Sequence, residues 1–391
     1  VIARKVPRSV LAGAVAAIVA WIVSHGRASP YDNYVLLAQA WLHGHAWIVW
    51  PGPYIDALPY HGRYYVIEAP FPAVVLLPFV ALFGSANQTL VAVLFAGIAV
   101  GAAWAFAERH GLPADRTLWL CAFLFAGTDL LWCAMLGDVW FLAHVCAVAC
   151  TLLALAELAG KRRGWLVGLY AAAAFESRFS LVLAVPIYAY LLATDRDRPF
   201  ALAPGWKARI GGLIAILLPV AVLWVLYNEA RWGTWYDIGY TAWYHQDQVG
   251  MPTGSPFRLQ YLPYQLWSYF IQAPVVVSHW PWLIPSLSGV ALTWTSPALV
   301  LAFFARRPAR DVMAWWAAAV LAAGPNFLYY VNGFAQFGMR HALDFEPFLF
   351  ALMVLAARDR FGWWWTAMIA YSCAVGVWGC WYWNTFVRSS S

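Results

Sequence analysis

The sequence predicts an all-α, polytopic transmembrane helical bundle, and three observations lead to it. Of 391 residues, 63% are hydrophobic and only 11% are charged, whereas a soluble domain carries about 25% charged residues. Apolar runs approaching the roughly 20 residues that cross a bilayer recur along the whole chain. Short basic clusters stand between them, the pattern that encodes membrane topology. The net charge of +6 is spread over these clusters and points to no nucleic-acid partner.

In chain order, clear spans fall at Val10–Val23, Gln88–Ala107, Thr117–Leu136, Val139–Leu158, Ile210–Leu226, Val290–Ala305, Val312–Tyr330, Phe345–Ala357 and Trp363–Trp383. The flank Ala3-Arg4-Lys5-Val6-Pro7-Arg8 lacks a signal-cleavage site and reads as a cytoplasmic anchor. Ala69–Phe83 is apolar but short and carries Pro70, Pro72 and Pro78, so it is expected to lie along the interface. Trp165–Ala193 is too long for one span and holds Glu176 and Arg178 near its middle, so it reads as a hairpin of two short helices with a polar tip.

Charge sets the orientation. With these assignments seventeen of the 24 basic residues are cytoplasmic, leaving Arg27, Arg63, Arg178, Arg231, Arg258, Arg340 and Arg388 outside. Letting Ala69–Phe83 cross would reverse that bias. The expectation is one membrane domain over residues 1–391 with eleven helices, its N-terminus cytoplasmic and its C-terminus external. Long external loops then cover about 24–87 and 227–289, and long ordered loops usually carry function.

The six cysteines sit inside apolar runs without metal-ligand spacing and read as small buried hydrophobes. Histidine spacing makes a metal site a minority reading. Arginine far outnumbers lysine and alanine is abundant, as in a GC-rich bacterial genome.

Ionisable groups at membrane depth are costly and usually functional. Asp32 follows the first span, and Asp138 sits at the outer junction of the third and fourth. Two carboxylates at one membrane face suit a general base and an orienting partner; the alternative for Asp32 is a helix cap after Pro30. Arg178, at the hairpin tip, is a candidate for phosphate or carboxylate, or else for an internal ion pair. Arg340 and His341, beside Asp344 and Glu346, fit either a lipid phosphate or an ion-pair network. Arg63 is a further cation in the first loop, where Asp56, Tyr64 and Glu68 are candidate substrate contacts. The dense external Trp and Tyr suit an interfacial belt, with a few rings free to stack on sugars.

In order and placement, these residues resemble the GT-C superfamily of polyprenyl-phosphate-sugar-dependent glycosyltransferases. They are most similar to bacterial relatives of protein O-mannosyltransferases and of aminoarabinose transferases acting on lipid A. The resemblance runs from Asp32, Tyr34, Ala38, Leu42 and Gly44 through Gly62-Arg63-Tyr64-Tyr65 and Pro78 to Asp138. It continues with Ser177-Arg178, Tyr227-Asn228, Arg231-Trp232-Gly233 and Phe337-Gly338-x-Arg340.

The resemblance implies a GT-C-like fold in a bacterial inner membrane, with the active site on the external, periplasmic side. It implies a polyprenyl-phosphate-linked sugar donor and a glycan, lipid or protein acceptor, with a divalent metal optional. Reaction would be by inverting single displacement, with Asp32 as the base and Asp138 as the second acid. Arg178, Arg340, His341 and Arg63 would meet the donor phosphate. Two departures stand out. Asn33 follows Asp32 where relatives often pair acids, and Glu68-Ala69-Pro70 replaces the Lys-Pro-Pro of some relatives. A transporter or lipid flippase, an O-antigen polymerase or ligase, and a membrane scaffold remain alternatives. A transporter would call for internal repeats and a midplane site, and neither is visible in the sequence.

Overall fold

The computed structural model describes residues 6–50, 52 and 56–388. Arg4 and Lys5 of the basic flank lie outside the described residues. Helix α1 (Arg8–Val23) leads through a short turn to α2 (Asn33–Leu42). A small antiparallel hairpin, β1 (Leu58–Tyr60) and β2 (Arg63–Tyr65), precedes α3 (Phe71–Phe83). Helix α3 packs on α2 and stops where Gly84 turns left-handed. Asn87 caps α4 (Gln88–Arg109), its side chain accepting from Leu90 N at 3.1 Å.

Helices α1 and α4 pack closely because glycines face each other: a Cβ at Gly13 would stand 2.7 Å from Gly97 O. The expected single span at Thr117–Leu136 is instead α5 (Ala114–Ala126) and α6 (Leu130–Leu136), bent by 50°. The cause is local. Thr128 Oγ1 donates to Leu124 O at 2.6 Å and accepts from Leu130 N, diverting the backbone ladder next to Gly127. Gly137 then turns at φ 66° against Thr89 into α7 (Val139–Ala159).

Between α8 (Gly164–Phe175) and α9 (Val185–Ala193) the chain breaks at 176–178 and continues as a 3-10 turn, Phe179–Ala184. This is the expected two-helix form with its polar tip. Helix α10 (Trp206–Trp232) is long, and α11 (Gly239–Gln246) and α12 (Leu262–Phe270) follow outside it. After the β3 (Val275–Val276) and β4 (Leu283–Ile284) pair, the expected helix at Val290–Ala305 is only α13 (Leu292–Thr295) and a 3-10 segment, Pro297–Phe304. Pro297 removes a backbone donor there. Helices α14 (Ala309–Leu328), α15 (Glu346–Asp359) and α16 (Trp363–Tyr382) complete the bundle.

Among the described residues, α4, α7 and α10 are long and apolar enough to cross a membrane, with the bent α5–α6 pair a fourth. Helix α7 is 89% buried over its apolar window and α10 only 6%, so α7 is the axis of the fold and α10 its rim. The cysteines are free, and all but the half-buried Cys373 are buried.

Candidate active site

One buried carboxylate organises the polar centre. Asp344, at the end of a 3-10 turn (Arg340–Asp344), is fully buried. Arg178 binds it bidentately, Nε to Oδ1 at 3.0 Å and Nη2 to Oδ2 at 3.1 Å. Ser180 Oγ donates to Oδ2 at 2.7 Å and Asn326 Nδ2 at 3.0 Å, while His144 Nδ1 lies 3.2 Å from Oδ1. The hairpin, α7, α14 and the 3-10 turn thus converge on one anion. Arg178 was the sequence candidate for a donor phosphate; here its Nε and Nη2 are taken by Asp344. Among the described residues its Nη1 makes no hydrogen bond, and 18% of its side chain stays accessible.

The first loop is brought to this centre by its backbone, since Phe71 N donates to Glu176 O at 2.8 Å. Glu68 is buried with Oε2 unpartnered. Burial pushes its carboxyl up to about 7, with nearby Asp56 adding to the rise and Arg178 opposing it. Asp56 is also raised, chiefly by burial, while Trp140 and Arg340 act the other way. The hydroxyl of Tyr34, on α2, is buried without a partner and lies within electrostatic reach of Glu68 and Arg178. Arg340 lies over the Phe141 ring at 5.2 Å, donates Nη1 to Phe334 O at 3.1 Å and leaves Nε buried without a partner. His341 stacks on His144, ring centroids 5.3 Å apart, with Nδ1 unpartnered. Glu68, Asp56, Arg178, Arg340 and His341 therefore share one neighbourhood.

The two leading acids differ. Asp138 is buried at the head of α7, and Ser29 Oγ donates to its Oδ1 at 2.5 Å. Burial pushes its carboxyl up to about 6. Ser29 Oγ also accepts from Tyr31 N, and Tyr31 O accepts from Val139 N and from Gln88 Nε2. These bonds pin the four residues that end at Asp32 onto α4 and α7. Asp32 itself begins α2 through its carbonyl, but its side chain makes no capping bond and stays half-buried. Partial burial raises its carboxyl above the usual range.

Arg63 and Tyr64 are placed elsewhere, on the β1–β2 hairpin. Arg63 is exposed and lies over Trp47 at 5.1 Å; Tyr64 stacks on Trp50 at 5.3 Å with planes 11° apart. Among the described residues no hydrogen bond or ion pair joins either of them, or Asp32, to Arg178 or Arg340. Sequence reasoning passed over His144, Ser180 and Asn326 and left Asp344 as a neighbour only. His144 and Asn326 carried a usable signal, since each is a polar side chain inside an apolar run. Among the described residues no group of three His, Cys, Asp or Glu side chains could hold a metal ion.

No protein-family model and no curated protein matches the chain. Among solved structures, the crystal structure of ArnT from Cupriavidus metallidurans bound to undecaprenyl phosphate is similar at TM-score 0.52 and 15% identity. The likeness covers 90% of this chain and 60% of ArnT. It shows that this helical chain shares ArnT's fold; the chain spans about three fifths of ArnT's length.

Proposed function

We propose that this chain, built on the fold it shares with ArnT, is a membrane glycosyltransferase. It would move a sugar from a polyprenyl-phosphate donor to an acceptor hydroxyl on the non-cytoplasmic side of a bacterial inner membrane. The observation that carries the reading is that likeness, over nine tenths of this chain, to a protein crystallised with undecaprenyl phosphate. The polar centre supports it. In this reading the chain would cross the membrane eleven times from a cytoplasmic N-terminus, which would put the centre outside, where nucleotide sugars are absent and a lipid-linked donor is needed.

In this reading the acceptor oxygen attacks the anomeric carbon in line as the carbon–phosphate-oxygen bond breaks, inverting the centre. Asp32, the half-accessible carboxylate, takes the acceptor proton. Asp138 is a positioning residue: its bond to Ser29 holds the segment on which Asp32 stands. The free Nη1 of Arg178 and the guanidinium of Arg340 stabilise the negative charge growing on the departing lipid phosphate, with His341 behind them.

Glu68 fills the place of the relatives' lysine. A carboxyl that titrates near 7 can stay protonated and donate to a phosphate oxygen, a neutral substitute for an ammonium. Asp56 lines the same space. On the hairpin, apart from this space, Tyr64, Trp47 and Trp50 present rings beside Arg63 that suit the apolar face of a sugar.

The test is transfer by purified protein from labelled polyprenyl-phosphate sugars to an envelope acceptor fraction. Asp32→Asn should fold normally and lower turnover by about 10²–10⁴-fold. Near-normal turnover in that variant would remove Asp32 from the role of base, and intact donor with every protein would remove the transferase reading.

A further inference from the structure

The end of the bundle opposite the polar centre carries a second charged site that the transfer reaction does not use. A cavity of about 160 Å³ opens where α4, α7 and α9 end and α14 begins, lined by Arg109, Arg196, Arg310 and Arg358 with His110. Its two carboxylates are Asp311, which Arg310 binds at 2.6 Å, and Asp197. Arg162 and Arg209 stand close by. Burial first, and then Arg209, Arg310 and Arg196, pull the Arg162 guanidinium down to about 10. Burial lowers His110 to about 4 against the pull of Asp311, and Arg358, Arg196 and Arg310 add to the fall.

Part of this charge is spent on helix ends. Arg196 Nη2 donates to the carbonyls of Leu158, Ala159 and Gly160, and Arg109 Nη1 to that of Ala156. Each of these two guanidiniums makes its bonds through one nitrogen, leaving the other donors over. With Asp359, which Arg358 meets at 3.5 Å, counted beside Asp311 and Asp197, these guanidiniums still exceed the carboxylates, and the excess calls for an anion.

Arg109 also lines a second space. An open groove of about 540 Å³ runs between α1, α4, α7 and α8, past Gly13, Gly97, Gly101 and Ala105 to Leu94. From Leu94 to Arg109 along α4 is about 22 Å, more than half of a hydrocarbon core about 30 Å thick. At its polar end Glu157 is neutralised by Arg163, which donates Nη2 at 2.8 Å. An apolar groove that ends on an arginine shared with a basic cavity has the form of an amphiphile's site: chain in the groove, phosphate among the arginines.

We propose that this cavity and groove together bind one membrane lipid with an anionic phosphate headgroup, in the leaflet opposite the catalytic centre. The site is independent of the transfer reaction and is tested without it.

Native mass spectrometry of the detergent-purified full chain would be run with phosphatidylglycerol, phosphatidylcholine and inorganic phosphate as probes. One phosphatidylglycerol should be retained at least tenfold more tightly than phosphatidylcholine. Arg196→Gln with Arg358→Gln should lower that retention at least tenfold. Ala105→Leu, which fills the groove and leaves the charges in place, should do the same, and it carries the test if the arginine pair does not fold. Equal retention of the two lipids, or unchanged retention in Ala105→Leu, overturns the proposal. Displacement of the lipid by inorganic phosphate at comparable concentration would show a soluble-anion site and overturn it as well.

Discussion

The two ends of this bundle use arginine in opposite ways. At the end that carries Asp344, Arg178 meets one carboxylate that three further side chains also hold, and the group is closed on itself apart from one nitrogen. At the opposite end arginines meet backbone carbonyls: Arg116 reaches Ala357 O at 2.7 Å, Arg162 reaches Thr194 O at 2.7 Å, and Arg196 spans three carbonyls. The first arrangement fixes geometry at the cost of two buried charges. The second offsets the negative ends of helices and keeps donors to spare. Removing one member of a closed pair strands its partner's charge, whereas removing one of several cations at a helix end strands no charge.

The largest effect should follow at the closed node. Asp344→Ala leaves Arg178 buried without its anion and should cost about 3–5 kcal/mol, read by thermal unfolding in detergent. Asp344→Leu with Arg178→Met should recover most of that stability while transfer stays lost. A double variant as unstable as the single would show that His144, Ser180 and Asn326 also need the carboxylate.

Next comes Glu68. Its folded carboxyl titrates near 7 against an ordinary value of 4.5, so the folded state binds more protons between those values. Stability should therefore fall as pH rises through that window, by roughly 3 kcal/mol in all. Transfer should also fall as pH rises through about 7, because ionised Glu68 loses its donor and repels phosphate. Glu68→Gln should flatten both profiles, and an unchanged activity profile would take Glu68 away from the phosphate. Ser29→Ala is smaller again. It removes a charge-assisted bond to Asp138, about 1.5–3 kcal/mol, and should lower turnover without changing the affinity for donor.

What the sequence made legible follows from how far each signal reaches. Asp32, Asp138 and Arg178 stood out because a charge beside an apolar run is visible locally, and the helical hairpin followed from a run too long for one span. The pairing of Arg178 with Asp344, 166 residues away, could not be read, because the apolar pattern places helices in the bilayer without saying which face meets which. The bend at Thr128 was hidden for another reason: a side chain diverting its own backbone leaves hydropathy unchanged. The 3-10 form of Pro297–Phe304 is hidden in the same way. Arg63 misled because a cation in a loop of the right topology need not face inward, and here the β hairpin turns it outward onto Trp47.

The smallest expected effect tests the arginine-rich end directly. Arg358 pairs with Asp359 at 3.5 Å with both side chains more than a third exposed, and its Nη2 reaches Arg307 O at 3.4 Å. An exposed pair of this kind is worth about 0–1 kcal/mol, so Arg358→Gln should leave the melting temperature nearly unchanged. Transfer should be untouched as well, since the residue stands at the opposite end of the fold. Retention of anionic lipid is the property that should weaken. A loss of several kcal/mol in this variant would mean that the arginines at this end are a closed node like Asp344, and the contrast between the two ends would fail.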